Sequence, residues 1–187
     1  MIVPTACIAF LLSTRRSSPL THCASRMSSS LSALPNLNKS DGTGASIENI
    51  NEAVKGKHVA LYFAAGWCPM CTSFEPSLMQ FREAANSSGK NVELIYVPSD
   101  RQAADVVKRT SAMNMLSVPI GEEADAMKRK YKIWAGAESM KLGMGRRSGV
   151  PALVVLDGSG EEVAFLAAES KGAKALADWP LDDSGLW

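Results

Sequence analysis

Apolar residues in this chain come in short blocks, and their spacing changes from block to block. The run KHVALYFAA (57–65) is apolar from Val59 onward and rich in β-formers. It is too short for a buried helix and predicts a central strand covered on both faces. Just after it, Phe74, Leu78, Phe81 and Ala85 recur at helical spacing and mark one face of a helix. Gly89 sits where a helix-ending glycine belongs. Pro76 falls inside this helix and is expected to kink it, since it lacks an N–H and crowds the carbonyl four residues back.

NVELIYVPSD (91–100) predicts a second strand and RQAADVVKRTSAM (101–113) a helix. EEADAMKRKYKI (122–133) predicts a short helix with Met127 and Tyr131 on one face. VPALVVLDGSGEEVAFLAA (150–168) reads as strand, Gly-Ser-Gly turn and strand, and AESKGAKALADW (168–179) as weakly helical. The order gives an α/β chain with a central mixed β-sheet flanked by helices. Strands joined through helices run parallel, and the final hairpin is antiparallel. Residues 28–46, rich in Ser, Asn and Gly, read as a linker, and there is no internal repeat.

Composition fits a globular domain, with 46% hydrophobic and 21% charged residues and a net charge of +1. It offers no electrostatic footprint for nucleic acid, and no apolar run is long enough to span a bilayer. The charge is unevenly spread. Residues 1–40 carry Arg15, Arg16, Arg26 and Lys39 and no carboxylate before Asp41. An acid-free, Arg- and Ser-rich start has the composition of a plastid or mitochondrial import sequence. MIVPTACIAFLL also has the apolar character of a signal-peptide core, and with Met27 as the start the protein is instead cytosolic. Residues 1–30 are therefore expected to be a targeting leader or disordered extension, and 31–187 the folded domain.

The cysteines divide in the same way. Cys7 and Cys23 lie in the leader, leaving Cys68 and Cys71 in GWCPMC. With His58 the body has three soft or imidazole ligands, too few for a four-ligand zinc site within one chain. One three-residue loop is no disulfide framework either, so no metal or cofactor is expected. A cysteine at the first turn of a helix faces unpaired N–H groups and the positive end of the helix dipole, and both favour thiolate. Cys71 is one turn deeper on the same face. The pair suits two-step exchange, in which Cys68 attacks a disulfide and Cys71 then resolves the mixed disulfide. Trp67 supplies an apolar platform beside the sulfur, and Pro69 stiffens the turn. Later in the chain, Val150-Pro151 opens a strand. It reads equally as an ordinary strand-entry proline and as a cis proline beside an active site, where Val150 would offer its backbone to a substrate strand.

The segments YFAAGWCPMCTSFEPSLMQF, VELIYVPSDR, MNMLSVPI and SGVPALVVLDGSGE resemble, in order and spacing, the nucleoredoxin and tryparedoxin branch of the thioredoxin superfamily. The resemblance runs from LNKSDGTGASIENI to Trp187, about 150 residues. It implies a thioredoxin fold, protein-disulfide reductase activity, Cys68 as nucleophile, Cys71 as resolving thiol and a cis Pro151. The chain departs from the branch in three ways. Met70 replaces the second proline of Cys-Pro-Pro-Cys, so its N–H is a candidate donor to the Cys68 thiolate. Tyr62 occupies the strand position where thioredoxins proper bury an Asp. Glu75 is then a candidate proton acceptor for Cys71, although a solvated helix glutamate is the simpler reading. Finally, WAGAESMKLGMGRRS (134–148) looks inserted. With three glycines and Lys141, Arg146 and Arg147, it reads equally as a mobile basic loop that selects partners and as a surface insertion without a role.

Other residues read as structural: His58 as a surface or edge residue, Met113, Met115, Met140 and Met144 as packing, KRKYK (128–132) as a solvated face, and Trp179 and Trp187 as tail residues docking on the sheet. The expected function is protein-disulfide reduction by a monomer without a bound cofactor. Electrons would come from an external reductase, small dithiol or glutathione, and nucleic acid and membrane are not expected partners. The alternatives are a redox-switched binding module with little turnover and a thiol oxidase or isomerase. A peroxidase finds no second nucleophilic cysteine.

Overall fold

A computed structural model describes residues 34–182 and 186–187. The expected leader, residues 1–30, lies outside them. Helix α1 (Ile47–Val54) leads to strand β1 (His58–Ala64), helix α2 (Pro69–Ser87) and strand β2 (Val92–Pro98). Helix α3 (Ala103–Met113), strand β3 (Leu116–Ser117) and helix α4 (Glu122–Tyr131) follow. A 3-10 turn (Gly136–Glu138) and helix α5 (Ser139–Leu142) precede the hairpin of β4 (Ala152–Leu156) and β5 (Glu162–Leu166). Helix α6 (Ala168–Lys171) and a 3-10 segment (Gly172–Asp178) complete the order.

The sheet order is β3-β2-β1-β4-β5. β2 is parallel to β1 and to β3, while β4 is antiparallel to β1 and to β5. The mixed sheet expected from the sequence is therefore present. Each residue of β1, β2 and β4 is buried, which is why these strands read as nearly continuous apolar runs, interrupted by His58 and Glu93, rather than alternating ones. The α2 stripe buries Phe74, Leu78 and Ala85 as its spacing predicts. The helix continues through Pro76 as one element, and Gly89 follows it in the left-handed region at φ 80°.

Four expectations are corrected. The supposed linker holds the buried Leu34 and Leu37, and Asn38 exchanges backbone hydrogen bonds with Ser117. These two bonds give the far edge of β3 a partner. His58 is fully buried rather than at the surface, since the C-terminal residues cover it: Leu186 bridges to it, and Trp187 exchanges backbone bonds with Gly56 and Lys57. The ring partner of Trp179 is Phe81 of α2, with centroids 5.2 Å apart, where only the sheet was expected. Trp187 does reach the sheet, donating its indole N–H to the Leu156 carbonyl.

The fourth correction concerns the insertion. Trp134 and Ala135 are buried, and the Glu138 carboxylate accepts from Ser99 Oγ (2.7 Å), Lys128 Nζ (2.5 Å) and the Ala135 N–H (3.0 Å). Lys128 is buried in turn, so KRKYK is only partly a solvated face. Each cation proposed for substrate capture already has an acid: Lys141 pairs with Asp125, Arg146 with Glu169 and Arg147 with Glu162. Arg147 also lies over the Phe165 ring, 3.9 Å from its centroid. The stretch is thus a docked lobe with neutralised charge. Met113 and Met115 pack in the core, but Met140 and Met144 stand exposed on this lobe.

Candidate active site

The site forms where β1 ends and α2 begins. Gly66 and Trp67 make the turn, and Cys68 is the N-cap of α2 with an extended backbone. Pro69 takes the first helical position, where its missing N–H has no helical bond to lose. The Cys68 sulfur accepts a hydrogen bond from the Cys71 N–H at 3.4 Å. This is the capping contact a serine oxygen makes elsewhere, here satisfied by sulfur. It also corrects the role expected of Met70: the donor to Cys68 is the Cys71 amide, and the Met70 side chain is half exposed beside it. Both cysteines are free thiols and both are buried, Cys71 completely. Burial pushes the Cys71 thiol well above its ordinary range, and its proximity to Cys68 raises it further.

Val150-Pro151 completes the site from the start of β4. The peptide bond is cis, as the resemblance implied, and the Val150 carbonyl oxygen lies 3.7 Å from Cys68 Sγ. Trp67 is 46% exposed and donates its indole N–H to the Ser99 carbonyl at 2.9 Å. The ring is thereby fixed as an apolar wall beside Cys68. The structure thus gathers Trp67, Cys68, Pro69, Cys71, Val150 and Pro151 at one end of the sheet.

It adds residues that the sequence reading passed over. Asp100, just past β2, accepts from the Gly66 N–H (2.6 Å) and from the Tyr96 hydroxyl (2.5 Å). Ser99 joins the site to the insertion, since its carbonyl holds Trp67 and its hydroxyl holds Glu138. Glu75 is not a solvated glutamate. It is ion-paired with Arg109 of α3 and accepts from the buried Tyr62 hydroxyl at 3.4 Å. The signal was present for Arg109. It lies three residues after Val106 and four before Met113, on the buried stripe of α3, and a cation there requires a partner. Among the described residues no cluster of three or more His, Cys, Asp or Glu could hold a metal ion. No described helix is long and apolar enough to cross a membrane.

Comparison with known proteins agrees with this geometry. Residues 56–162 match the family model described as thioredoxin-like. Human nucleoredoxin is 32% identical over 122 residues, which is 64% of this chain and 24% of that protein. Probable nucleoredoxin 1 of Arabidopsis thaliana is 29% identical over 131 residues, 70% of this chain and 20% of that protein. The chain thus spans about a quarter of the length of these curated relatives. Among solved structures, tryparedoxin I from Leishmania major is similar at a TM-score of 0.55 and 26% identity, over 79% of this chain and 91% of that one. The fold, the strand–Cys-x-x-Cys–helix junction and these matches agree: the chain belongs to the thioredoxin-like family, in its nucleoredoxin and tryparedoxin branch.

Proposed function

We propose that the protein is a thiol–disulfide oxidoreductase that reduces disulfides of partner proteins through Cys68 and Cys71. The observation that carries this reading is the pairing of two free thiols across one helical turn, with the Cys71 N–H directed at the Cys68 sulfur. That amide fixes the Cys68 sulfur at the N-terminus of α2. Burial keeps Cys71 protonated until it is needed, so the two thiols divide into attacking and resolving roles.

The cycle balances in two exchanges. Cys68 thiolate attacks a substrate disulfide, forming a Cys68–substrate bond and expelling one substrate thiolate. Cys71 loses its proton and attacks Cys68, forming the Cys68–Cys71 disulfide and releasing the second thiolate. Two electrons have then passed to the substrate, and an external thiol or reductase must return them. Trp67 and the Val150 backbone flank the attacked sulfur and are suited to hold an extended substrate segment. Family membership supports such chemistry in general, whereas protein-disulfide substrates are this chain's own proposal.

Insulin reduction driven by dithiothreitol is the test. Precipitation of the insulin B chain well above the dithiothreitol blank is expected. A rate equal to the blank would favour a redox-switched binding module instead.

A further inference from the structure

Cys71 must become a thiolate in order to resolve, yet no solvent reaches it. The groups that face it come from four elements. Cys68 and Glu75 share its helix, Tyr62 comes from β1, Tyr96 and Asp100 from β2 and its end, and Arg109 from α3. Burial pushes both tyrosines far above their ordinary range, so the phenols stay neutral. Of the charged side chains gathered here, Arg109 acts on Cys71 itself, beside the larger effects of burial, Cys68 and the Ala65 backbone, whereas Glu75 and Asp100 are tied to Arg109 and Tyr96.

These charges are not equivalent. Asp100 is engaged by two short hydrogen bonds, from the Gly66 N–H and the Tyr96 hydroxyl. Glu75 borders a cleft of about 430 Å³ shared with Trp67, Asp100 and Lys108. Its side chain is 19% exposed against 9% for Arg109. Water screens the carboxylate more than the guanidinium. Arg109 is also closely positioned: it pairs with Glu75, lies 5.8 Å from the centroid of the Tyr96 ring, and packs against the backbone before Cys68. A methyl group added to Gly66 would come within 3.2 Å of an Arg109 guanidinium nitrogen. The Arg109 charge is felt at Cys71, where it opposes the effect of burial.

We propose that Arg109 is the charge-positioning residue of the resolving step: Glu75 and Tyr96 hold its guanidinium where it stabilises the thiolate that Cys71 must form. This rests on the exchange reaction proposed above. Arg109 touches no substrate and takes no proton. The proton of Cys71 leaves on the Cys68 side of the pair, where Cys68 keeps 7% of its surface exposed, and the positive charge lowers the cost of its departure.

The test separates the two exchanges by stopped flow, mixing reduced full-length protein with one equivalent of 5,5′-dithiobis(2-nitrobenzoate). Attack by Cys68 releases one thionitrobenzoate in a concentration-dependent phase. Resolution by Cys71 releases the second in a concentration-independent phase. In Arg109→Gln the second phase should shift its pH midpoint upward by about one unit, making it about tenfold slower at pH 7, with the first phase little changed. Arg109→Lys should recover most of the loss. An unshifted second phase, or both phases slowing together without recovery by Lys, overturns the proposal. Should Arg109→Gln not fold, Glu75→Gln decides by sign. Arg109 then loses the ion pair that holds it, so the second-phase midpoint should rise, and a lowered or unchanged midpoint overturns the proposal. If the wild-type protein releases no second thiolate at all, the exchange reading itself fails, which is a distinct result.

Discussion

Cys68 Sγ and the carbonyl oxygen of Val150 lie 3.7 Å apart although 82 residues separate them in sequence. β1 and β4 are antiparallel neighbours, paired from Val59–Leu156 to Phe63–Ala152. The C-terminal end of β1 therefore meets the N-terminal end of β4, and the loops beyond those ends share one edge of the sheet. A substrate segment lying along Val150 would bring its disulfide to Cys68. Val150→Gly keeps the carbonyl but removes a buried side chain. It is expected to cost roughly 1–2 kcal/mol of stability and to slow insulin reduction severalfold, measured by urea unfolding alongside turnover.

Met70 provides a second check. Since the Cys71 amide is the donor to the Cys68 sulfur, replacing Met70 removes no hydrogen bond from it. Met70→Pro places proline within the first helical turn, where proline is tolerated. Alkylation of Cys68 by iodoacetamide at pH 7 should change by less than about twofold. A tenfold fall would restore the Met70 N–H as the donor that matters.

Glu138 anchors the inserted lobe. Removing it leaves Lys128, only 4% exposed in its side chain, without its acid. An unpaired buried charge costs about 3–5 kcal/mol. The partial exposure of Glu138 reduces that, so Glu138→Ala should lose about 2–3 kcal/mol in urea unfolding, and Glu138→Gln less. Trypsin should also cut the variant sooner within 134–148, because Lys141, Arg146 and Arg147 lose a docked backbone. A loss within about 0.5 kcal/mol, with an unchanged digestion pattern, would mean that the lobe is held elsewhere.

Cys71 makes the stability of the reduced protein depend on pH. Its folded-state value is raised, so the unfolded chain releases that proton first as the pH climbs. The contribution is complete below the ordinary thiol value of about 8.5 and is lost as the pH rises above it, at up to about 1.4 kcal/mol per pH unit. Between pH 8 and pH 10 the reduced wild-type protein should therefore lose more stability than Cys71→Ala, by up to about 2 kcal/mol. Tyr62 and Tyr96 titrate in both proteins and cancel. Parallel losses in the two would contradict the burial argument.

The sequence made legible what depends on periodicity and on short-range chemistry. The β1 run, the Phe74–Leu78–Ala85 stripe, the hairpin and the cysteine pair at a helix start each carry a local physical signature. Elements lacking one were missed. β3 is two residues long, too short to alternate, and α1 buries only Ile50 and Val54 while exposing Ile47. Leu34 and Leu37 looked like isolated apolar residues in a polar stretch. The charged part of the site was hidden for a different reason. Glu75 and Arg109 are 34 positions apart, and only the packing of α3 beside α2 makes them partners. The same holds for the insertion, whose basic residues looked free until Asp125, Glu162 and Glu169 were placed against them.

The division of labour between the two thiols is the central claim, and covalent trapping tests it most directly. Cys71→Ser protein incubated with disulfide-bonded proteins should accumulate mixed disulfides through Cys68, visible as dithiothreitol-sensitive bands on a non-reducing gel and assignable by mass spectrometry. Cys68→Ser should trap none, because Cys71 is buried and protonated. Trapping by Cys68→Ser with none by Cys71→Ser would contradict the account and reverse the two roles.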